Sequence, residues 1–310
     1  MKKVLVTGAS GFIGRYCLPL LVQQGYEIHA VARQKPQETI EQDVRWHECD
    51  LLQPGSASSL VQQTRPTHLL HLAWYAVPQK FWTAPANLDW VRASLDLLRS
   101  FTESGGERIV AAGTCAEYAW DSGECLEAQT ALLPHTLYGS CKLAFGQILD
   151  SWGRQTGLSS AWGRVFFLYG PQEHPSRVVA YVTQSLLEGK EALCSDGTQM
   201  RDFLHVEDVA SAFVSMLGSD VDGPVNIGSG KAVALRDVLM TIGELTGRPE
   251  LLRFGARGSA GEAPAFWANN QKLLQSGWSP RYNLTRGLAE TVEWWRNSAK
   301  VPPMTAPRQG

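Results

Sequence analysis

The stretch Val4–Gly14, VLVTGASGFIG, constrains the fold of this chain more than any other. Val4, Leu5 and Val6 form the short apolar run that a strand buried on both faces requires. Gly8, Gly11 and Gly14 follow at intervals of three, and an apolar helical pattern then runs through Tyr16, Leu18, Leu20, Leu21 and Val22. A strand feeding a helix through spaced glycines predicts a dinucleotide-binding unit. One glycine allows the tight turn, one lets backbone N–H groups approach a pyrophosphate, and one lets the helix pack close to the strand. The helix N-terminus then offers phosphates its unpaired N–H groups and the positive end of its dipole. Standing alone, such a turn is equally an ordinary tight turn; its place between strand and helix gives it weight.

Composition narrows the function classes. A chain of 310 residues, 44% hydrophobic, can bury the core of one large domain or two interleaved ones. A net charge of −2 with 19% charged residues leaves no basic stripe for nucleic acid and no polybasic segment for a membrane surface. No run approaches the ~18–20 apolar residues of a membrane span. The first predicted strand begins too near the N-terminus for a signal peptide. The six cysteines (17, 49, 115, 125, 141 and 194) are scattered, with no C-x-x-C. That pattern argues against a zinc site or a disulfide framework and for a reducing cytoplasm, and no metal is expected.

Further strands are predicted at Glu27–Ala32, Val44–Glu48, Thr67–Leu72, Arg108–Ala112 and Ser160–Phe166, with helices at Asn87–Glu103 and from Tyr138 to Arg154. Alternation of this kind implies an α/β fold with a parallel, doubly wound (Rossmann) sheet. Arg33 stands at the end of the second strand, followed closely by Lys35, with no acidic residue there. An acidic residue at such a tip accepts from a ribose 2′-hydroxyl, whereas an arginine accommodates a 2′-phosphate. The expected cofactor is therefore NADP, with NAD as the alternative.

The spacing Thr7-Gly8-x-x-Gly11-Phe12-Ile13-Gly14 resembles the T-G-x-x-G-F-x-G of the extended short-chain dehydrogenase/reductases, the family of nucleotide-sugar epimerases, dehydratases and reductases. Other family-like motifs follow in order. They are H-x-A at His71–Ala73, Tyr138-x-x-x-Lys142, G-x-x-x-R-D-F-x-H-V-x-D-V from Gly197, N-I-G-x-G from Asn226, and the closing Gly277-Trp278-Ser279-Pro280, Gly287-Leu288 and Trp294-Trp295. The resemblance thus runs from Val4 to about Trp295. It implies a dinucleotide-binding domain of residues 1–169 together with about 203–227, an interleaved smaller substrate domain within 170–300, and a polar tail, 301–310, expected to be disordered. It also implies that Gly8, Gly11, Phe12, Ile13, Gly14, Asp50, Leu51, Ala73, Tyr138 and Lys142 contact the cofactor, beside Arg33. Asp50 is otherwise the N-cap of the next helix. His71 reads as a satisfied structural histidine. The aromatic loop Trp74, Tyr75, Phe81 and Trp82 either faces a sugar nucleotide or packs beneath its own chain.

Tyr138 and Lys142 are four residues apart, hence on one face of a helix. A tyrosine with its ordinary pKa of about 10 is a poor base at neutral pH. A nearby ammonium is expected to lower that pKa into the range of general acid–base work. Thr114 ends the fifth-strand region at the carboxyl edge, where such sheets bind ligands. The resemblance makes Thr114, Tyr138 and Lys142 the catalytic triad, and Thr114, Cys115, Phe167, Arg177 and Arg201 substrate contacts. Arg201 matches the family's phosphate-binding arginine; its alternative is an ion pair with Asp202 or Asp208. Two departures matter. The 4,6-dehydratases carry Asp-Glu directly after the catalytic threonine, where this chain has Cys115 and Ala116. Glu117 stands one residue late, in a segment read as extended, so dehydration is discounted. Phe167 replaces an asparagine that contacts nucleotide phosphates in many members.

The expected activity is NADP-dependent reduction of a nucleotide-linked 4-keto-6-deoxy sugar at C4, with Tyr138 as proton donor. A 4-epimerase using the same triad with tightly bound NAD is the alternative, and a non-catalytic dinucleotide sensor the third reading. Leu143, Phe145, Ile148, Leu149 and Trp152 spread around more than one helix face. With the family's four-helix bundle, this predicts a homodimer through the helices at Asn87–Glu103 and Tyr138–Arg154.

Overall fold

A computed structural model of the chain describes residues 2–36, 43–120, 123–258 and 263–298. The tail 301–310 lies outside them. In chain order the elements are β1 (Lys3–Thr7), α1 (Gly14–Gln23), β2 (Glu27–Ala32), β3 (Val44–Glu48), α2 (Ser56–Thr64), β4 (His68–His71), α3 (Ala86–Glu103), β5 (Arg108–Thr114), β6 (Gly123–Cys125), α4 (Leu137–Thr156), β7 (Ser159–Val165), β8 (Phe167–Tyr169) and α5 (Val178–Leu187). There follow β9 (Ala192–Leu193), β10 (Met200–Arg201), β11 (Phe203–His205), α6 (Val206–Gly218), β12 (Gly223–Ile227), β13 (Val233–Ala234), α7 (Leu235–Thr246), β14 (Leu252–Arg253), β15 (Ala265–Ala268), α8 (Gln271–Gln275) and α9 (Leu284–Ser298).

The main sheet has seven strands in the order β12-β7-β5-β4-β1-β2-β3, all paired in parallel. The chain starts in the middle and winds to one edge, then returns and winds to the other. This is the doubly wound arrangement expected from the alternation of strands and helices. The order reverses between β1 and β4, so a crevice opens at the carboxyl ends of those strands. One face of the sheet is covered by α1 and α6, whose Cys17, Leu18, Leu21, Val209, Phe213 and Leu217 are buried against Val4, Val6 and Val110. The other is covered by α2, α3 and α4 through Leu60, Leu97, Phe101, Phe145 and Leu149 against Leu5, Leu69 and Ile109. Alternate residues of β1 thus serve opposite layers, as a strand buried on both faces must. Burying side chains of this size contributes about 1.5–3 kcal/mol each before ordering entropy is subtracted.

After β8 the chain builds a second apolar cluster from α5, α7 and α9, with Val182, Leu186, Leu239, Ile242, Leu288 and Val292 at its centre. A four-stranded sheet, β13-β10-β15-β6, stands beside it. Between these pieces α6 packs on α1 and β12 pairs with β7.

Two sequence expectations change here. Asp50 does not cap α2, whose N-cap is Gly55 in a left-handed conformation. It accepts from Leu52 N–H at 3.1 Å and from Gln53 Nε2 at 3.4 Å, closing a turn of its own. The apolar excess on α4 is largely consumed inside the chain. Phe145 and Leu149 are buried, Trp152 donates to Thr102 on α3 at 3.0 Å, and of the five residues only Ile148 is exposed.

Candidate active site

The carboxyl end of β1 makes the first wall of the crevice. Gly8 has φ +70°, and a Cβ there would lie 2.7 Å from the backbone N of Ala73, beyond β4. The glycine therefore provides a left-handed turn and lets two chain segments touch, and no other residue type does both. Gly14 opens α1, which has no side-chain cap and no acidic residue in its first turn. No side chain caps this end; Arg15 N–H donates to Gly11 O at 3.2 Å and Tyr16 N–H to Ile13 O at 3.1 Å, so the turn itself holds part of the helix start. A cradle that added Cβ atoms would fill, below an uncapped helix end, fits a dinucleotide pyrophosphate. Phe12 and Ile13 are half-buried beside it, Leu51 is packed in the core under α2 and α3, and Arg33 is exposed at the end of β2. His71 is buried; Thr7 Oγ1 and Ser94 Oγ lie 2.7 and 2.9 Å from its two ring nitrogens. Burial beside Lys142 pulls its pKa down to about 3, so it is a neutral structural ring.

β5 runs two residues further than its apolar run suggests, so Thr114 is its last residue. Thr114 N-caps a single 3-10 turn, Cys115–Glu117, accepting from Ala116 N–H at 3.2 Å. α4 brings Tyr138 to Thr114 because Gly139 lets it: a Cβ at 139 would lie 2.5 Å from Ala116 O and 2.9 Å from Pro134 Cβ. The Thr114 side chain lies close enough to the Tyr138 phenol to pull its pKa down. One helical turn on, Lys142 Nζ donates to Ala112 O at 2.7 Å and lies 3.9 Å from the centre of the Trp74 ring. Thr114, Tyr138 and Lys142 are thus brought together at the carboxyl edge of β5.

The electrostatics differ from the sequence expectation. Burial raises the Tyr138 pKa above its ordinary value, and Cys115 and Glu117 raise it further; the Thr114 side chain and Arg177 act the other way. The Lys142 ammonium is engaged with a carbonyl and an indole. Burial lowers its own pKa to about 7. In this structure the phenol is held protonated while the amine sits near its midpoint at neutral pH.

The aromatic loop after β4 packs both on this pair and on its own neighbours, Phe81 against Trp82 at 4.2 Å and Trp74 against Trp90 at 6.3 Å between ring centres. Phe81 and Trp82 lie edge-on to Tyr138 at 4.8 and 5.8 Å between ring centres. Trp74 is held over Lys142 by its own hydrogen bond to Asn87 Oδ1 at 2.8 Å. The density of aromatics in 74–82 was the sequence signal; which ring meets which cation was not readable from it. Arg177 lies 5.6 Å from the Phe81 ring centre, close enough for its charge to reach Tyr138. Arg201 is buried, 5.3 Å from the Phe167 ring centre, donating to Ala263 O at 2.7 Å. Phe167 and Arg201 therefore form one group and Arg177 belongs to another, nearer the triad. Asp202 accepts from Ser229 and Gly230, and Asp208 from the backbone of Arg281 and Tyr282.

Glu117 has the role that sequence reasoning missed. Its segment is not extended but a 3-10 turn, and the turn carries the carboxylate inward. There it accepts from Thr114 N–H at 2.8 Å and pairs with Arg164 Nε at 2.7 Å. It is wholly buried, so it is no acid or base for a substrate.

A family model described as the NAD dependent epimerase/dehydratase family matches residues 4–228. A UDP-glucose 4-epimerase of Azospirillum brasilense is 27% identical over 96% of this chain and 92% of its own length. Among solved structures, a UDP-glucose 4-epimerase of Thermus thermophilus in complex with NAD has a TM-score of 0.82 at 26% identity, covering 96% of this chain and 99% of that one. MoeE5 in complex with UDP-glucuronic acid and NAD has a TM-score of 0.83 at 29% identity over the same shares.

Proposed function

We propose that this chain, which belongs to the NAD dependent epimerase/dehydratase family, inverts C4 of a nucleotide-linked sugar. The carrying observation is the assembly of Thr114, Tyr138 and Lys142 at the carboxyl edge of β5, in a chain similar over nearly its whole length to UDP-glucose 4-epimerases. When bound, the nicotinamide supplies hydride acceptance and return. The residues do the rest. Thr114 Oγ1 accepts from Ala116 N–H, which fixes the hydroxyl and aims it at a substrate oxygen. From its phenolate form Tyr138 would remove the C4 hydroxyl proton and later return it, so the phenol must first lose its own proton; Lys142, as the ammonium, would favour that phenolate and orient the cofactor ribose. Phe81, Trp82 and Trp74 exclude water from the pair, which strengthens every charge interaction within it. Phe167, Cys115, Arg177 and Arg201 would meet the sugar nucleotide, and Gly8, Gly11 and Gly14 would hold the pyrophosphate.

Net reduction of a 4-keto sugar is the second reading, and two observations favour it. Tyr138 is held as the phenol, the form a proton donor starts from, and Arg33 is an exposed cation at the β2 tip where a 2′-phosphate would lie. The test is made on the purified protein. Tightly bound NAD with interconversion of UDP-glucose and UDP-galactose, and no net consumption of reduced cofactor, supports epimerisation. Free exchange and stoichiometric oxidation of NADPH on a 4-keto sugar nucleotide replaces it by reduction. Firm cofactor binding with no turnover on either substrate class would point to a sensor.

A further inference from the structure

Thr114, the end of β5, is fastened from behind by Glu117. The fastening is reciprocal: Thr114 Oγ1 accepts from Ala116 N–H at 3.2 Å, and Thr114 N–H donates to Glu117 Oε1 at 2.8 Å. From β7, Trp162 Nε1 donates to both carboxylate oxygens, at 3.0 and 3.1 Å, and Arg164 Nε donates to Oε2 at 2.7 Å. Arg164 is itself tied down. Its Nη1 donates to Tyr118 Oη at 2.9 Å, and Tyr118 donates to Asn226 Oδ1 on β12 at 2.7 Å. Neither Glu117 nor Arg164 is open to solvent, their side chains being 0% and 5% exposed. Even Gly113 is explained, since an added Cβ there would lie 2.8 Å from Glu117 Oε1.

Stability does not account for a buried ion pair at this place. Taking two charges out of water costs several kcal/mol per ion, and well-packed apolar residues of the same volume are often as stable or more so. The pair does have a directional consequence. On the inner side of the turn lie Lys142 and Tyr138 of α4. Lys142 is faced by a carbonyl from β5, an indole from the loop after β4, Trp162 from β7 and the neutral His71 from β4. Tyr138 is faced by Cys115, Glu117 and Arg177. Glu117 is the acidic group whose charge reaches both.

We propose that Glu117 is a positioning residue of this centre, a buried carboxylate that clamps the main chain of Thr114 and supplies the negative charge facing Lys142 and Tyr138, while Arg164 sets how much of that charge they feel. The proposal rests on reading Tyr138 and Lys142 as the proton-transfer pair, but its test needs no substrate. Glu117 favours the protonated form of Lys142 against the burial that opposes it, so the two members of the ion pair should move the lysine in opposite directions.

The experiment is a 13C NMR titration of the full chain labelled at lysine Cε, with the Lys142 signal identified by its loss in Lys142→Met. In the unaltered protein that signal is expected to titrate with a midpoint of about 7. Glu117→Gln, which keeps the shape and an acceptor for Thr114 N–H, is expected to lower the midpoint by about one pH unit. Arg164→Gln leaves the carboxylate unneutralised and is expected to raise it. Glu117→Asp, which keeps the charge, should restore most of the original value. An unchanged midpoint in folded Glu117→Gln, or shifts of one sign in both variants, overturns the proposal. If Glu117→Gln does not fold, the sign in Arg164→Gln decides. Opposite shifts in a protein that turns over no sugar nucleotide would leave the positioning role standing and remove the functional reading. Turnover without the shifts would do the reverse.

Discussion

Tyr138 is the residue on which most of the chemistry depends. Replacing it by Phe keeps the ring against Phe81 and Trp82 but removes the proton carrier. Turnover should fall by ~10²-fold or more while cofactor affinity, measured by fluorescence titration, is retained. Near-normal turnover would dismiss the assignment. At the tip of β2, Arg33→Asp removes a cation from the place of a 2′-phosphate and supplies an acceptor for a ribose hydroxyl. The ratio of kcat/KM for the phosphorylated over the unphosphorylated cofactor should drop; an unaltered protein that already prefers NAD would show that Arg33 is only a solvated cation. Glu173 gives a pH-dependent case. It is buried, and its Oε2 has no partner among the described residues. Burial raises its pKa to about 8, against an ordinary value of 4.5, with Arg177 and an Ala180 N–H acting the other way. Between those two values the folded chain holds the proton that the unfolded chain releases, so this group's contribution falls as pH rises from about 4.5 to about 8. Glu173→Gln should therefore match the original in denaturant unfolding near pH 4 and exceed it near pH 8, by a few kcal/mol at most. Equal stability at both pH values would mean that the carboxyl is solvated.

Among the elements, α4 ties fold to site. Its inner face carries Phe145 and Leu149 into the core, its first turns carry Tyr138 and Lys142 to β5, and Gly139 sets how near it comes. Gly139→Ala would press a methyl group onto Ala116 O and Pro134. The expected cost is about 1–3 kcal/mol in unfolding, with a larger loss of turnover than of cofactor binding, because the Tyr138–Thr114 contact opens first. Full turnover in a folded Gly139→Ala would show that the close approach is not needed. The spacing of Tyr138 and Lys142 foretold their shared helix face. It did not foretell that the lysine would be engaged by Ala112 and Trp74, nor that burial would raise the phenol instead of the ammonium lowering it. Such effects depend on what lies across the cleft, and β4, β5 and the loop after β4 are distant from α4 in sequence.

For the whole molecule, Leu88 on α3 and Ile148 on α4 remain exposed, at 58% and 41%. They flank the helix pair that the family resemblance assigns to a dimer. We expect sedimentation at micromolar concentration to show a dimer, and Leu88→Glu with Ile148→Glu to give a monomer of lower activity, since α4 carries the catalytic pair. A fully active monomer of the unaltered chain would refute both the dimer and its coupling to the site. The apolar arc that suggested the dimer is mostly filled by α3 and the sheet, so the surviving evidence on this face is narrower than helix periodicity alone implied. No helix among the described residues is long and apolar enough to cross a membrane.

By itself the sequence determined the features that act over a few residues. These include the β1 run, the glycine turn, the strand and helix alternation, the i, i+4 pairing of Tyr138 with Lys142, and the threonine at the end of β5. Local sterics and periodicity specify all of them. Tertiary structure alone decided that Trp74 covers Lys142 and that Glu117 turns inward to Arg164. The ionisation of Tyr138 and Lys142 was decided there too. The reason is physical: a charge's state is set by burial and by the groups around it, and those groups come from β4, β5, β7 and α4, which meet only when the sheet closes.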